Sequence, residues 1–202
     1  MKKFIVFLVA VFLVAGCSKE DTEKKEEAKM AEPERPRVIM ETDMGKIVLE
    51  LFPDVAPNHA NNFLELVNKG FYNGLTFHRV IKGFVIQGGD PKGDGTGDAG
   101  YVIPAEFSTL KHMPGTLAMA RGPDPNSASC QFYICLGQLS DLDGKYTIFG
   151  QTVEGMDVVN KIGGVETDKS DKPVKPVHMI RLWEEGKQPP PVESDSTTKA
   201  GQ

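Results

Sequence analysis

Short runs in which apolar and polar residues alternate lie along residues 38–183, and most of them end in a turn that contains glycine. A two-residue period is typical of strands, and only two other stretches have the spacing of a helix. Many short strands with so few helices favour a closed or nearly closed antiparallel barrel capped by two helices. The 202 residues leave room for one such domain and its tails. The predicted strands are Val38–Asp43, Lys46–Phe52, Leu75–Val80, Phe84–Gly88, Thr116–Ala120, Gln131–Cys135, Tyr146–Gly150 and Val177–Trp183.

The two helical stretches differ in length. The first opens with Pro57, which is favourable at the first position of a helix, and it ends at Gly70. The second covers Met156–Ile162 and ends at the pair Gly163 and Gly164. The predicted apolar face of the first helix is Ala60, Phe63, Leu64 and Val67.

The N-terminus has the pattern of a bacterial export signal. Two lysines precede an unbroken apolar run from Phe4 to Ala15. This run is too short for a membrane span of about 20 residues but fits a signal-peptide core of about 7–15 residues. The ending Leu13–Cys17 resembles the bacterial lipobox, in which the cysteine is lipidated and becomes the first residue of the mature protein. The sequence therefore predicts a lipoprotein signal peptide at residues 1–16 and a lipid on Cys17; the alternative is an ordinary secretory signal.

A charged segment follows that cysteine and contains a single large apolar residue, Met30. Such a composition cannot bury enough apolar surface to fold, so residues 17–37 are predicted to be the lipidated cysteine and a disordered tether. In lipoproteins of bacteria with two membranes, a serine after the cysteine favours transport to the outer membrane. We therefore expect a protein of the cell envelope, held by its lipid on the periplasmic face of the outer membrane. Residues 184–202 are predicted to be a disordered tail.

Two cysteines, Cys130 and Cys135, remain when Cys17 is lipidated. Five residues of strand span about 16 Å, whereas a disulfide needs Cα atoms about 4.4–6.8 Å apart. Their odd separation also places the two side chains on opposite faces of a strand. We expect two buried free thiols and no disulfide.

Several other chemistries are not favoured. The pattern GxGxxG at residues 95–100 lies in a polar loop, not between a strand and a helix, so it predicts no dinucleotide cofactor. Asp90, Asp94 and Asp98 do not have the spacing of an EF-hand, and the four histidines are scattered, so no metal site is expected. The formal charge is −5 without a basic cluster, which makes nucleic acid an unsuitable partner.

The remaining unusual residues lie in three segments, Phe77–Asp90, Met119–Tyr133 and Leu142–Gly150. Arg79 lies in an apolar strand of the first segment, where an arginine is ordinarily a salt-bridged residue at a sheet edge. Together, in this order and separation, the segments resemble the cyclophilins, a family of peptidyl-prolyl cis-trans isomerases. The resemblance covers residues 38–183 and implies a mostly β fold, a closed eight-stranded antiparallel barrel with a helix at each end.

The resemblance also assigns roles to individual residues. It implies that Arg79, Phe84 and Gln87 are catalytic, and that an apolar pocket receives the proline ring of the substrate. The partners it implies are proline-containing polypeptides, with no cofactor and no metal, and the protein is expected to be a monomer. The implied substrate-binding residues are Val85, Ala120, Arg121, Gln131, Tyr133, Leu142 and Tyr146.

Three positions depart from the common pattern of the family. Val85 replaces a methionine, which makes one pocket wall shorter. Tyr133 replaces a phenylalanine, and its added hydroxyl must face water or find a partner. Asp141 stands where cyclosporin-sensitive members carry tryptophan, so we expect reduced binding of that drug.

These residues suit a reaction that makes and breaks no covalent bond. Because rotation about an X-Pro bond makes and breaks no bond, it needs no nucleophile, metal or proton shuttle. An arginine beside an apolar pocket is suitable because it remains protonated and presents a rigid set of hydrogen-bond donors. Two other interpretations stay open. The domain could be a non-catalytic module that binds proline peptides, or the protein could be a structural envelope lipoprotein in which the tether matters more than the domain.

Overall fold

The structure, a computed structural model, describes residues 35–191. Its helices are α1 (Pro57–Asn68) and α2 (Met156–Ile162). Its strands are β1 (Arg37–Thr42), β2 (Gly45–Leu51), β3 (Arg79–Ile81), β4 (Val85–Gly88), β5 (Thr116–Met119), β6 (Phe132–Cys135), β7 (Ile148–Glu154) and β8 (Met179–Glu184). They form one sheet in the order β3-β4-β6-β5-β7-β2-β1-β8, and every neighbouring pair is antiparallel.

The two end strands of this order, β3 and β8, share no ladder among the described residues. The segment before β3 nevertheless reaches the start of β8 through backbone hydrogen bonds. Met179 N donates to Leu75 O at 2.8 Å, and Phe77 N donates to Val177 O at 3.0 Å. The predicted mostly β fold with eight antiparallel strands and two helices is confirmed, as a sheet curled into a half-barrel.

Successive residues of the central strands face two separate apolar clusters, as the pleat of a strand requires. In β6, Phe132 and Ile134 belong to the main core, where they pack with α1 and α2 residues. Tyr133 and Cys135 belong to the second cluster on the opposite face. The second cluster is the face on which the candidate site lies. Its buried members are Phe52, Val85, Ala118, Tyr133, Cys135 and Ile148.

Some element bounds differ from the predictions. The strand predicted at Leu75–Val80 is regular only from Arg79, because the preceding residues form isolated bonds with residues 177–179, at and just before the start of β8. β7 starts two residues after Tyr146 and continues to Glu154 because it pairs with both β2 and β5. In α1 the structure buries Leu66, whereas Leu64, predicted in its apolar face, is half-buried.

The cysteine prediction is confirmed. Cys130 and Cys135 are free and buried, the first in the main core and the second in the cluster on the other face. Burial raises the pKa of the Cys130 thiol to about 11 and that of Cys135 to about 12. Both are therefore protonated and poor nucleophiles at neutral pH.

Both ends of the domain extend beyond the predicted bounds. Arg35, placed in the tether by the sequence, pairs with Asp54 at 2.8 Å and lies 4.2 Å above the ring centroid of Phe52. At the other end β8 includes Glu184, and Arg181 donates to the carbonyl of Pro190 at 3.2 Å. Residues 35–37 and 184–190, assigned to the tether and the tail in the sequence-based prediction, thus contact the described domain.

The predicted signal peptide, Cys17, the tether up to residue 34 and the tail from residue 192 lie outside the described residues. Between residues 35 and 191, neither helix has the length and apolar character that crossing a membrane requires.

Candidate active site

A cavity of about 310 Å³ opens on the face of the second cluster. All three residues predicted to be catalytic line it, as do all of the predicted substrate-binding residues except Gln131. They come from β3, β4 and the turn between them, the residues that follow β5, β6 and the loop before β7, so the sheet brings together segments that are far apart in sequence. The lining residues are Arg79, Phe84, Val85, Gln87, Ala120, Arg121, Tyr133, Leu142 and Tyr146.

Arg79 is held from two sides at the first position of β3. It faces Gln87 across the β3–β4 ladder, and its Nη1 donates to Gln87 Oε1 at 3.3 Å. On the other side its Nε lies 3.8 Å from a carboxylate oxygen of Asp171. The backbone carbonyl of Asp171 accepts the N–H of Val80 at 2.7 Å, and with φ of 63° Asp171 is the one non-glycine residue with positive φ among the described residues. The guanidinium therefore reaches the cavity with its orientation restricted.

Gln131 lies behind the cavity wall and continues the hydrogen bonds of Gln87. Its Oε1 accepts from Gln87 Nε2 at 3.1 Å, and its own Nε2 donates to the carbonyls of Gly95 at 3.1 Å and Gly97 at 2.8 Å. The glycine-rich loop at residues 95–100, for which the sequence predicts only a polar loop, thus supports a predicted site residue. No local pattern indicates this contact, because Gly95 and Gly97 lie 36 and 34 residues before Gln131.

Aromatic rings form much of the apolar wall. Tyr133 and Tyr146 meet edge to face, with centroids 6.0 Å apart at 81°. Arg121 covers Tyr146 with its guanidinium 4.6 Å from the ring centroid, and its Nη2 donates to Lys145 O at 2.9 Å. A cation over the ring and a bond to the neighbouring carbonyl both fix the position of Tyr146 at the rim.

The hydroxyl of Tyr133 finds a partner inside the protein. It lies 3.1 Å from Nε2 of His112, a fully buried histidine whose Nδ1 lies 3.1 Å from Asp143 Oδ1. Burial is the main cause that lowers the pKa of His112, and burial also raises the pKa of Tyr133 well above its ordinary value. His112 and Asp143 are not among the site residues predicted from the sequence, although the hydroxyl of Tyr133 is expected to need water or such a partner.

Asp141 lies in a short 3₁₀ helix at Ser140–Leu142. Its side chain is exposed and is not among the residues that line the cavity. Leu142, from the same turn, does line the cavity.

The fold and the cavity can be compared with known proteins. The family model described as cyclophilin type peptidyl-prolyl cis-trans isomerase matches residues 37–184. The chain belongs to the cyclophilin family. A model for the prokaryotic membrane lipoprotein lipid attachment site also matches residues 1–18.

Relatives of this cyclophilin are named as peptidyl-prolyl cis-trans isomerases. The chain is 46% identical over 158 residues to peptidyl-prolyl cis-trans isomerase-like 1 of Homo sapiens, and the match covers 75% of this chain and 93% of that protein. It is 43% identical over 149 residues to the protein of the same name from Neurospora crassa, covering 71% of this chain and 91% of that one.

A solved structure is also similar. The cyclophilin type peptidyl-prolyl cis-trans isomerase of Cryptosporidium parvum matches with a TM-score of 0.73 and 34% identity, over 76% of this chain and 99% of that one. A second structure of that enzyme, obtained in the presence of the dipeptide Ala-Pro, matches with a TM-score of 0.72 and 35% identity, over 75% and 99% of the two chains. The resemblance stated from sequence is confirmed, and this cyclophilin is a peptidyl-prolyl cis-trans isomerase.

Proposed function

We propose that the cavity beside Arg79 is where this cyclophilin rotates X-Pro bonds, with Arg79, Phe84 and Gln87 as its catalytic residues. The observation that carries the proposal is the position of a guanidinium at the edge of an apolar cavity large enough for a proline ring. Phe84, Val85, Tyr133, Leu142 and Tyr146 contact the ring in this proposal. The backbone at Ala120 and Arg121 accepts the extended peptide, and Gln131 supports Gln87.

The chemistry follows from the electronic structure of the bond. The barrier of about 18–20 kcal/mol arises because the nitrogen lone pair is delocalised into the carbonyl. When the bond twists, that lone pair localises on nitrogen and can accept a hydrogen bond. Arg79 donates to it, so the enzyme holds the twisted bond more tightly than either planar form. Gln87 keeps the guanidinium in place through its bond to Nη1.

The apolar wall has two further roles. It holds the proline ring while the carbonyl side of the bond rotates, so the motion is confined to one side. Together with a bound proline ring it also displaces water from the cavity side of the guanidinium, which strengthens the hydrogen bond to the imide nitrogen because the local dielectric falls.

A peptide titration followed by NMR tests the site and the activity together. The probes are a tetrapeptide containing Ala-Pro and a matched tetrapeptide with alanine in place of proline. We expect the proline peptide to shift the signals of Arg79, Ala120 and Tyr146 and to show fast cis–trans exchange cross-peaks, and the alanine peptide to do neither. Shifts at the groove beside Trp183 and Lys187 instead would contradict the assigned site. Binding at the cavity without faster exchange would favour the non-catalytic binding module.

We also propose that a lipid on Cys17 anchors the enzyme to the periplasmic face of the outer membrane, where it acts on envelope proteins during folding. The lipobox-like ending at Cys17 and the lipoprotein attachment match at residues 1–18 support the anchor, and Ser18 supports the outer membrane. Labelling cells with radioactive palmitate should mark the wild-type protein and not Cys17→Ser. Equal labelling of both proteins would refute the lipid on Cys17. Recovery of the labelled protein with the inner membrane would refute the outer-membrane location.

The tether offers a way to separate the catalytic interpretation from a structural one. Deleting residues 19–34 keeps Cys17, Ser18 and the whole described domain. If the protein serves as an isomerase, we expect the purified variant to retain its kcat/KM and cells to retain the catalysed folding. Retained catalysis with an envelope defect would favour a structural lipoprotein.

Finally, we infer that the half-barrel is closed and that the domain is a monomer. The bonds from Met179 to Leu75 and from Phe77 to Val177 support closure between β8 and the segment before β3. Slow hydrogen exchange at the Phe77 and Met179 amides, at the level of the central strands, is the expected result. Sedimentation at concentrations up to the millimolar range tests the monomer.

A further inference from the structure

Three of the four histidines share one local arrangement. In each, the backbone N–H and the ring Nδ1 contact the same carboxylate oxygen: His59 with Glu106, His112 with Asp143 and His178 with Asp43. A carboxylate only accepts hydrogen bonds, so the ring proton of the neutral histidine must be on Nδ1. The arrangement therefore leaves Nε2 of each ring as an acceptor.

The three rings differ in what Nε2 meets. His178 is about half exposed, so water is available to it. Nε2 of His59 is buried and has no hydrogen-bond partner among the described residues. Nε2 of His112 lies 3.1 Å from the hydroxyl of Tyr133, a residue that lines the cavity. Only this histidine connects its carboxylate to the proposed active site.

The proton positions in the hydrogen bonds that join Asp143, His112 and Tyr133 follow from the ionisation of Asp143. Hydrogen bonds from the backbone N–H and the ring of His112 lower the pKa of Asp143 to about 2, so this group is a carboxylate at neutral pH. Lys111 Nζ adds an ion pair to its other oxygen at 3.2 Å. The carboxylate keeps the proton on Nδ1 of His112, and Nε2 must then accept the hydroxyl proton of Tyr133. Each donor in the chain has one acceptor.

We propose that His112 and Asp143 are positioning residues for the proline pocket, which hold Tyr133 through its hydroxyl and direct the hydroxyl proton away from the cavity. The inference rests on the proposed function, in which this cavity receives the proline ring. The ring of Tyr133 is further fixed between His112, stacked at 6.1 Å and 16°, and Tyr146 on its edge. A tyrosine can then serve as an apolar wall because its polar end is already satisfied.

The other tautomer of His112, with its proton on Nε2, would be unfavourable for peptide binding. If Nε2 carried the proton, it would donate to the Tyr133 oxygen, and the hydroxyl would need another acceptor. With none beside it among the described residues, it would retain a water that an entering proline ring must displace. Removing the hydroxyl has a related effect, because Nε2 is then left as a buried acceptor. Both changes should weaken peptide binding without altering the contact of Arg79.

The first test reads the tautomer directly. Long-range ¹H–¹⁵N NMR of the histidine rings in the full chain should show His112 with the proton on Nδ1 and a hydrogen-bonded Nε2. Tyr133→Phe should move the Nε2 frequency, and Asp143→Asn should produce a mixture of tautomers because an amide can donate as well as accept. A wild-type His112 that carries its proton on Nε2 would overturn the inference, and this measurement needs no variant to fold.

The second test is kinetic and includes a matched control. Tyr133→Phe and Asp143→Asn should raise KM for a proline peptide about threefold to tenfold and leave kcat within about twofold, because the cost falls on the bound ring. Glu106→Gln breaks the same type of buried pair at His59, which contacts no lining residue through Nε2, and should change neither constant. A merely structural role would lower stability in all three variants alike, without a separation of KM from kcat.

A double variant completes the cycle. His112→Phe alone leaves the Tyr133 hydroxyl unpaired, but His112→Phe with Tyr133→Phe removes both partners, and it should recover most of the lost affinity. If the peptide fails to bind at the cavity even in the wild type, the proposed function fails while the tautomer result stands. If Leu142→Ala weakens binding but Tyr133→Phe and Asp143→Asn do not, the site stands and this inference is wrong.

Discussion

Replacement of Arg79 is the most direct perturbation of the proposed mechanism. The side chain is 42% exposed, its ion pair with Asp171 is long at 3.8 Å, and its hydrogen bond to Gln87 is 3.3 Å. Exposed pairs of this kind contribute about 0–1 kcal/mol to stability. Arg79→Ala should therefore fold normally, with a midpoint of urea unfolding close to that of the wild type.

The effect on catalysis should be much larger than the effect on stability. A preorganised donor contributes about 2.7–4 kcal/mol to the transition state, or about 10²–10³ in rate, once the bound substrate has displaced the water around it. We expect Arg79→Ala to lower kcat/KM by that factor in a protease-coupled assay with an Ala-Pro peptide. Arg79→Lys should lose nearly as much, because an ammonium group cannot bond Gln87 and the imide nitrogen with the geometry of a guanidinium.

A second arginine gives a control of matched type. Arg181 pairs with Glu41 at 2.6 Å and lies over the ring of Trp183, but it does not line the cavity. Arg181→Ala removes the same charge and the same number of donors, and kcat/KM should stay within about twofold of the wild type. If Arg79→Ala keeps the wild-type rate, or if both variants lose equally, the role assigned to Arg79 is wrong.

Three further outcomes follow from burial and backbone geometry. Burial is the main cause that lowers the pKa of His59, His78 and His112, so the unfolded chain takes up protons at a higher pH than the folded chain does. The free energy of unfolding in urea should therefore fall as the pH drops below about 6.5, whereas kcat/KM should stay flat between pH 6.5 and 8. The two buried thiols, whose pKa values are raised to about 11 and about 12, should react with iodoacetamide rapidly in urea and very slowly in the native state. Gly89→Ala should destabilise far more than Gly83→Ala by thermal unfolding. Both glycines have positive φ, at a cost of about 1–2 kcal/mol for alanine, but a Cβ at Gly89 would also lie 2.6 Å from Cys130 O, while nothing lies within 4 Å at Gly83.

Local sequence patterns predicted most of the elements because they depend on neighbouring residues. Pro57 and the glycines after Ile162 set helix ends that the structure reproduces. The bounds were less accurate where pairing with a distant strand decides them, as in β7, which continues to Glu154 because β2 lies beside it. Alternation cannot report such a neighbour, since the partner strand is about 100 residues away.

The residues of the candidate site also differ in whether local sequence can predict them. The segment around Arg79 contains Phe84 and Gln87 within one hairpin, so a motif could indicate all three residues. The supporting residues come from elsewhere in the chain: His112 lies 21 residues before Tyr133, and Asp143 lies 31 residues after His112. Asp171 reaches Arg79 from a loop 92 residues later in the sequence. Only the folded sheet shows that these groups meet.

The glycine-rich loop illustrates how such support can define a catalytic geometry. An amide side chain can be turned either way, but Gln131 Nε2 faces two carbonyls, of Gly95 and Gly97, so its Oε1 must face Gln87. Gln87 must then donate from its nitrogen and present its own oxygen to Arg79. The loop is itself held by Asp90, whose carboxylate accepts three backbone N–H groups, from Lys92, Asp94 and Gly95. The direction of the guanidinium is thus set by loop carbonyls that do not line the cavity, which is why a segment without any proposed catalytic side chain bears on the proposed mechanism.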